Sequence, residues 1–211
     1  MVIAFAATMI FYKDDKKTAE ETATGDRRAE GGSVEAEGAS ETVPETDGEG
    51  KKAETRAALL HQTQLYSPLR GRVLKLETLK DDAFASGVLG KGVGIWPEEG
   101  NVYAPADGVV SVLFPTLHAI GFLTDEGVEL LIHIGLDTVQ LNGEGFQARV
   151  AQGDRVKKGQ LLVSFDMAFI EEKGYCLETP VLVTNSDDYL EVVETATEHV
   201  AQGDVLLKVL K

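Results

Sequence analysis

The chain has 211 residues, room for one ordinary domain and a tail but not for two large domains. Its 20 lysines and arginines stand against 35 aspartates and glutamates, and a net charge of -15 gives no footing for wrapping nucleic acid or an anionic surface through counterion release. The single cysteine, Cys176, excludes an internal disulfide framework and makes a reducing cytoplasm the default setting, while 43% hydrophobic residues suffice for a core.

Met1 to Tyr12 (MVIAFAATMIFY) is apolar throughout, yet a bilayer span takes ~20 such residues, and a signal peptide would open on positive charge and end in a cleavage motif. Lys13-Asp14-Asp15-Lys16-Lys17 follows at once. Lysines just after a span mark its cytoplasmic side, so residues 1–17 read as the last half of a membrane helix, with a surface-lying helix or an unstructured start as alternatives. Residues 18–66, rich in Ala, Glu, Gly, Thr and Ser, bury too little apolar surface to offset ordering and are expected to form a solvated acidic linker. Eight basic and thirteen acidic side chains put residues 1–66 at -5, which leaves -10 for residues 67–211.

From Ser67 onward, short β-branched and aliphatic runs alternate with glycine: GRVLKLETL, GVGIWPEEG, NVYAPADGVVSVLF, GVELLIHIG, DRVKKGQLLVSF, TPVLVTN and DVLLKVLK. Each has strand length and turn residues at its ends, which predicts an all-β domain over 67–211, an antiparallel sandwich or barrel of many short strands with at most short helical turns. Asp187 to Thr195 is the stretch most open to such a helical turn. Ala151-Gln152-Gly153-Asp154 recurs as Ala201-Gln202-Gly203-Asp204, each before an apolar run, and both read as tight turns.

The informative stretch is Phe114 to Leu141. Leu117–Leu123 and Val128–Ile134 flank Thr124-Asp125-Glu126-Gly127, a hairpin signal. A turn centred between Asp125 and Glu126 sets His118 directly opposite His133, with Cβ atoms ~5 Å apart. Ile120, Phe122, Glu129 and Leu131 then share the histidine face, and Ala119, Gly121, Leu123, Val128, Leu130 and Ile132 form the core face. With Phe114 and Val139 nearby, the histidine face becomes an exposed apolar patch around a polar pair, which suits protein docking. The plain alternative is two half-buried structural histidines.

Opposed imidazoles could bind a metal, but no third histidine lies two or four residues from His133, so no closed four-ligand site is visible. A nucleophilic imidazole beside a second that donates to developing charge is the other option, and phosphoryl transfer needs chiefly such positioning and charge neutralisation.

Thr116-Leu-His118-Ala and Val128-Glu-Leu-Leu-Ile-His133-Ile-Gly-Leu-Asp137-Thr138-Val139 resemble the enzyme IIA domain of the glucose family of the phosphoenolpyruvate-dependent sugar phosphotransferase system. The resemblance runs from Ser67-Pro68-Leu69 through Phe84 to Gly92, Ala104 to Gly108, Gly143 to Phe146 and Thr179 to Val181. Phe114 to Gly121 and Thr184-Asn185 resemble most the carboxy-terminal IIA domains of β-glucoside and sucrose permeases.

The resemblance implies a phosphotransferase component that works through a phosphohistidine and needs no cofactor or bound metal. His133 matches the acceptor that takes the group from the phosphohistidine of HPr and passes it to a cysteine of a IIB domain. His118 matches the side chain that steadies the phosphoryl oxygens, Thr116 the hydroxyl that orients it, and Gly135 the carbonyl that holds the acceptor ring. Phe84, Leu89, Phe114, Leu131 and Val139 match the family's docking patch, and Asp137 a carboxylate beside the acceptor. The resemblance also implies a fused IIC membrane domain ahead of residues 1–17, and so a cytoplasmic domain tied to the membrane.

A biotinyl or lipoyl carrier also has the pattern of Gly153 to Gln160, but its modified lysine is missing at Phe165-Asp166-Met167-Ala168. A divalent ion bridging both histidines, completed by a partner's carboxylate, is a further alternative. Cys176 has no basic or histidine neighbour in sequence and reads as a plain thiol, and His61 and His199 read as solvated.

Overall fold

The computed structural model describes residues 61–195 and 198–211, so the expected membrane-helix stump at 1–17 and the linker as far as residue 60 lie outside the described residues. Among the described residues no helix is long and apolar enough to cross a membrane.

The linker expected over 18–66 ends earlier than the composition indicates. Gln62–Tyr66 forms β1, an antiparallel partner of β14 (Val205–Leu210), because Thr63 and Leu65 point inward while Gln62 and Gln64 face solvent. Two buried side chains in five residues are too faint a signal to stand out from an acidic tail.

Fourteen strands make three antiparallel sheets among the described residues. The largest runs from β13 (His199–Val200) through β2 (Gly71–Lys75), β3 (Lys91–Pro97), β11 (Thr179–Val183), β7 (Glu129–His133), β6 (Ala119–Thr124) and β5 (Gly108–Leu113) to β9 (Arg155–Val156). Two three-stranded sheets, β1-β14-β12 (β12 being Glu191–Glu194) and β4-β10-β8 (Asn101–Tyr103, Leu161–Phe165, Phe146–Ala148), complete the domain. One buried cluster joins them: Val93, Ile95, Phe122, Ile132 and Val181 of the large sheet meet Leu162, Leu207 and Val209 of the small ones. The all-β reading therefore holds.

Two short helices interrupt the strands. Both start on an aspartate N-cap: Asp81 accepts from the Ala83 and Phe84 N–H groups of α1 (Asp82–Ala85), and Asp166 accepts from Phe169 of α2 (Met167–Glu172). The helical turn expected over Asp187–Thr195 is only a 3-10 turn at Ser186–Asp188, and the β-branched pair Val192-Val193 takes Glu191–Glu194 into β12 instead. The repeated Ala-Gln-Gly-Asp turns are alike in detail. In each, the aspartate carboxylate accepts from the alanine N–H at 2.8 Å, and the glycine has a positive φ.

The β6–β7 hairpin departs from the two-residue turn predicted above. Asp125, Glu126 and Gly127 form a three-residue loop, closed by Gly127 N–H to Thr124 carbonyl at 3.1 Å and Thr124 N–H to Val128 carbonyl at 3.0 Å, with Gly127 at φ +86°. The extra residue shifts the register by one, so Ala119, not His118, lies opposite His133, and Ile120 opposite Ile132. A one-residue slip inverts a strand's faces. Ile120 and Phe122 of β6 therefore belong to the core, while Ala119, Gly121 and Leu123 share the face of His133; the assignment of β7 stands, with Leu130 and Ile132 inside.

Asn185 pins this loop from β11's side. Its Oδ1 accepts from Glu129 N–H at 2.9 Å and its Nδ2 donates to the Gly127 carbonyl at 3.1 Å, in a buried position. Asn185→Ala is expected to destabilise the domain by about 1–3 kcal/mol, the usual penalty for orphaning buried polar groups, as read from urea unfolding; an unchanged midpoint would contradict this.

Candidate functional site

His133 is the last residue of β7. The chain then turns through Gly135, whose φ of +70° and close approach to Cys176 leave no room for a side chain: a Cβ there would fall 2.8 Å from the Cys176 carbonyl oxygen. The turn brings the Gly135 carbonyl oxygen back to within 2.7 Å of His133 Nδ1. A carbonyl only accepts, so Nδ1 carries the proton, and the ring's lone pair resides on Nε2.

His118 reaches the same place by a route other than direct strand pairing. It sits at the junction between β6 and the turn Phe114–Leu117, where Leu117 takes a left-handed φ of +57° and donates its N–H to the Phe114 carbonyl at 2.7 Å. That conformation is uncommon for a leucine and interrupts the pleat ahead of β6. The Ile134 N–H donates to the His118 carbonyl at 2.7 Å, tying the two histidine segments together. The imidazole centroids end 4.9 Å apart at 78°, edge to face. Thr116 Oγ1 lies 2.6 Å from His118 Nδ1.

Both histidines are buried, at 2% and 7% exposure, so the expected solvent-facing pair is recessed. Burial pushes the His118 imidazole down to about 4, with repulsion from His133 adding to it. Burial depresses His133 as well, against the opposing pull of the Gly135 bond and the Asp81 and Asp137 carboxylates. Each ring is therefore neutral at pH 7, the form in which an imidazole nitrogen is a nucleophile.

Aromatic rings wall the pair. Phe84 of α1 lies 5.0 Å from the His133 ring, and Phe114 lies 5.5 Å from the His118 ring. The expected docking residues divide by exposure: Leu131 and Phe84, 1% and 5% exposed, offer a partner almost no surface, Leu89 and Phe114 are half-buried, and Asp137 and Val139 are exposed. Two residues escaped the sequence reading. Asp81, the α1 cap, places a second carboxylate where His133 feels it, and Val88, 78% exposed, follows α1 by three residues. The N-cap pattern before Ala83 and Phe84 was a local signal for Asp81, but its nearness to His133 arises only in the fold.

Among the described residues no group of three or more His, Cys, Asp or Glu is placed to hold a metal ion. Asp166 opens α2 where a biotinyl or lipoyl carrier would present its lysine. Cys176 does have a basic neighbour, Lys80, whose Nζ is 3.9 Å from Sγ. His199 is an exposed partner of Glu98 at 3.4 Å, and His61 is exposed.

A family model described as the phosphoenolpyruvate-dependent sugar phosphotransferase system, EIIA 1, matches residues 63–189. The chain belongs to this family. It is 46% identical over 160 residues to the β-glucoside-specific EIIBCA component of Halalkalibacterium halodurans, an alignment covering 76% of this chain and 25% of that protein. The glucose-specific EIIA component of the same organism is 42% identical over 161 residues, covering 76% of this chain and 93% of the relative. Among solved structures, glucose permease IIA from Mycoplasma capricolum superposes with a TM-score of 0.64 at 33% identity, over 70% of this chain and 96% of that one. The chain thus spans about a quarter of the EIIBCA relatives it matches. The match makes it an EIIA domain of the phosphoenolpyruvate-dependent sugar phosphotransferase system family.

The recessed, neutral rings have a measurable consequence. A histidine whose folded pKa is depressed contributes stability above its unfolded value of about 6.5 and loses it as pH falls, because the unfolded ring binds the proton first. Ring-proton NMR should show His118 titrating near 4, and unfolding by urea should become easier between pH about 6.5 and 4. A His118 midpoint near 6.5 would refute the desolvated site.

Proposed function

We propose that this EIIA domain is a phosphoryl carrier in which His133 Nε2 takes the group from phospho-HPr and passes it to a cysteine of a IIB domain. The observation that carries the proposal is the Nδ1–H bond to the Gly135 carbonyl, which commits the lone pair to Nε2, with a second neutral imidazole 4.9 Å away.

In the first step Nε2 of His133 attacks phosphorus, the Nε2–P bond forms, and the P–N bond of the donor breaks with its electron pair returning to the donor imidazole. His133 becomes cationic at the ring, a charge that the Gly135 carbonyl, Asp81 and Asp137 offset. His118 acts as a donor: this role requires the Thr116 hydroxyl, 2.6 Å from Nδ1, to donate there, which leaves the ring proton on Nε2 to be offered to the phosphoryl oxygens. In the second step the partner's thiolate attacks phosphorus, the S–P bond forms, and Nε2 recovers its electron pair. The Phe84 and Phe114 rings exclude water around a group that would otherwise hydrolyse.

The docking face proposed for both partners comprises Leu89, Phe114, Asp137 and Val139, extended by Val88, with the buried Phe84 ring behind it. Leu131 supports it from beneath. The net charge of -10 over residues 67–211 suits a basic phosphocarrier. A fused IIC domain elsewhere in the full protein is proposed, in keeping with the length of the EIIBCA relatives.

Incubated with phosphoenolpyruvate, enzyme I and HPr, the chain should gain the mass of one phosphoryl group, and His133→Gln should gain none. An unchanged wild-type mass contradicts the proposal. His118→Gln should still accept the group but pass it to IIB about 10²–10³ times more slowly, the usual effect of removing one donor to developing charge; equal onward rates would remove His118 from that role.

A further inference from the structure

Two buried threonines, each fully shielded from solvent, converge on the turn that aims the Gly135 carbonyl, and no step described above uses them. Thr138 Oγ1 donates to the Ile134 carbonyl oxygen at 2.5 Å. The Gly135 N–H donates to Thr179 Oγ1 at 3.4 Å, and that hydroxyl donates in turn to the Leu177 carbonyl at 2.9 Å. The peptide group joining Ile134 to Gly135 is thus held at both ends by side-chain hydroxyls.

The next peptide group, between Gly135 and Leu136, is held at its N–H by the Cys176 carbonyl at 2.9 Å, and its carbonyl is the one that receives His133 Nδ1–H. These two planes meet at the Gly135 α-carbon, so fixing the first plane limits how far the second can tilt. Thr138 also flanks the pivot: a Cβ added at Gly135 would lie 2.6 Å from the Thr138 methyl. Its hydroxyl holds the hinge and its methyl leaves no space there for a side chain.

We infer that Thr138, backed by Thr179, is a positioning residue for the phosphoryl acceptor: it holds the Gly135 carbonyl on target and so keeps the His133 proton on Nδ1. The consequence for rate rests on the phosphoryl-carrier reading; the tautomer does not. Thr138→Val preserves shape but withdraws the donor from Ile134, and the freed peptide lets the carbonyl swing away from Nδ1. The two neutral tautomers then approach equal population, and fewer rings carry the lone pair on Nε2. Thr138→Ser keeps the hydroxyl and with it the clamp.

The test is ¹⁵N-histidine NMR of the full chain at neutral pH, with phosphoryl uptake from phospho-HPr measured on the same samples. Wild type should show one His133 tautomer, protonated at Nδ1. Thr138→Val should show mixed tautomers and about twofold slower uptake, since only the rings with the lone pair on Nε2 react, and Thr138→Ser should restore both. A Thr138→Val protein with the wild-type tautomer overturns the inference, whatever its uptake rate. Should Thr138→Val not fold, Thr179→Val removes the other end of the clamp and is read against the same two outcomes. A tautomer shift in a chain that accepts no phosphate would sustain the positioning role and sink the carrier reading.

Discussion

One peptide group, between Gly135 and Leu136, governs the chemistry of the site. Its N–H is fixed by the Cys176 carbonyl and its C=O fixes His133 Nδ1, so strand β7, the turn after it and the segment entering β11 are joined through four atoms. Hydrogen bonds in such a chain polarise one another, and the acceptor ring sits at its end. The requirement for glycine follows directly, since any side chain would strike the Cys176 carbonyl or Thr138.

Burial gives that arrangement its chemical meaning. In water an imidazole near pH 7 divides between charged and neutral forms, whereas the desolvated pair here is held neutral, with His118 down at about 4. A neutral acceptor can attack, and two neutral rings lie 4.9 Å apart without repulsion. The carboxylates of Asp81 and Asp137 act on His133 against that burial, favouring a charged ring. In the proposed carrier cycle the desolvated centre would favour the attacking ring and the carboxylates the phosphorylated one.

The sequence disclosed the strands, the two histidines, and the carbonyl and hydroxyl partners that the family resemblance assigned to them. It misplaced the register, because Thr-Asp-Glu-Gly fits a two-residue turn as well as a three-residue loop, and only the glycine in the third loop position distinguishes them. His118 still meets His133, since the left-handed Leu117 breaks the pleat where strand pairing alone would have separated them. Asp81, Thr179 and the Lys80 contact to Cys176 were illegible for a different reason: each joins segments far apart in sequence, and nothing local marks such pairs. Exposure was illegible as well, so Leu131 looked like a docking residue until the sheet covered it.

In the proposed carrier, phosphate resides on Nε2 of His133 while Nδ1 keeps its proton and its bond to Gly135. Phosphorus–nitrogen coupling in ¹⁵N-histidine-labelled, phosphorylated chain tests it most directly. Coupling to Nε2 of His133, with Nδ1 still protonated, is the result expected; coupling to Nδ1, or to a nitrogen of any other histidine, would contradict it.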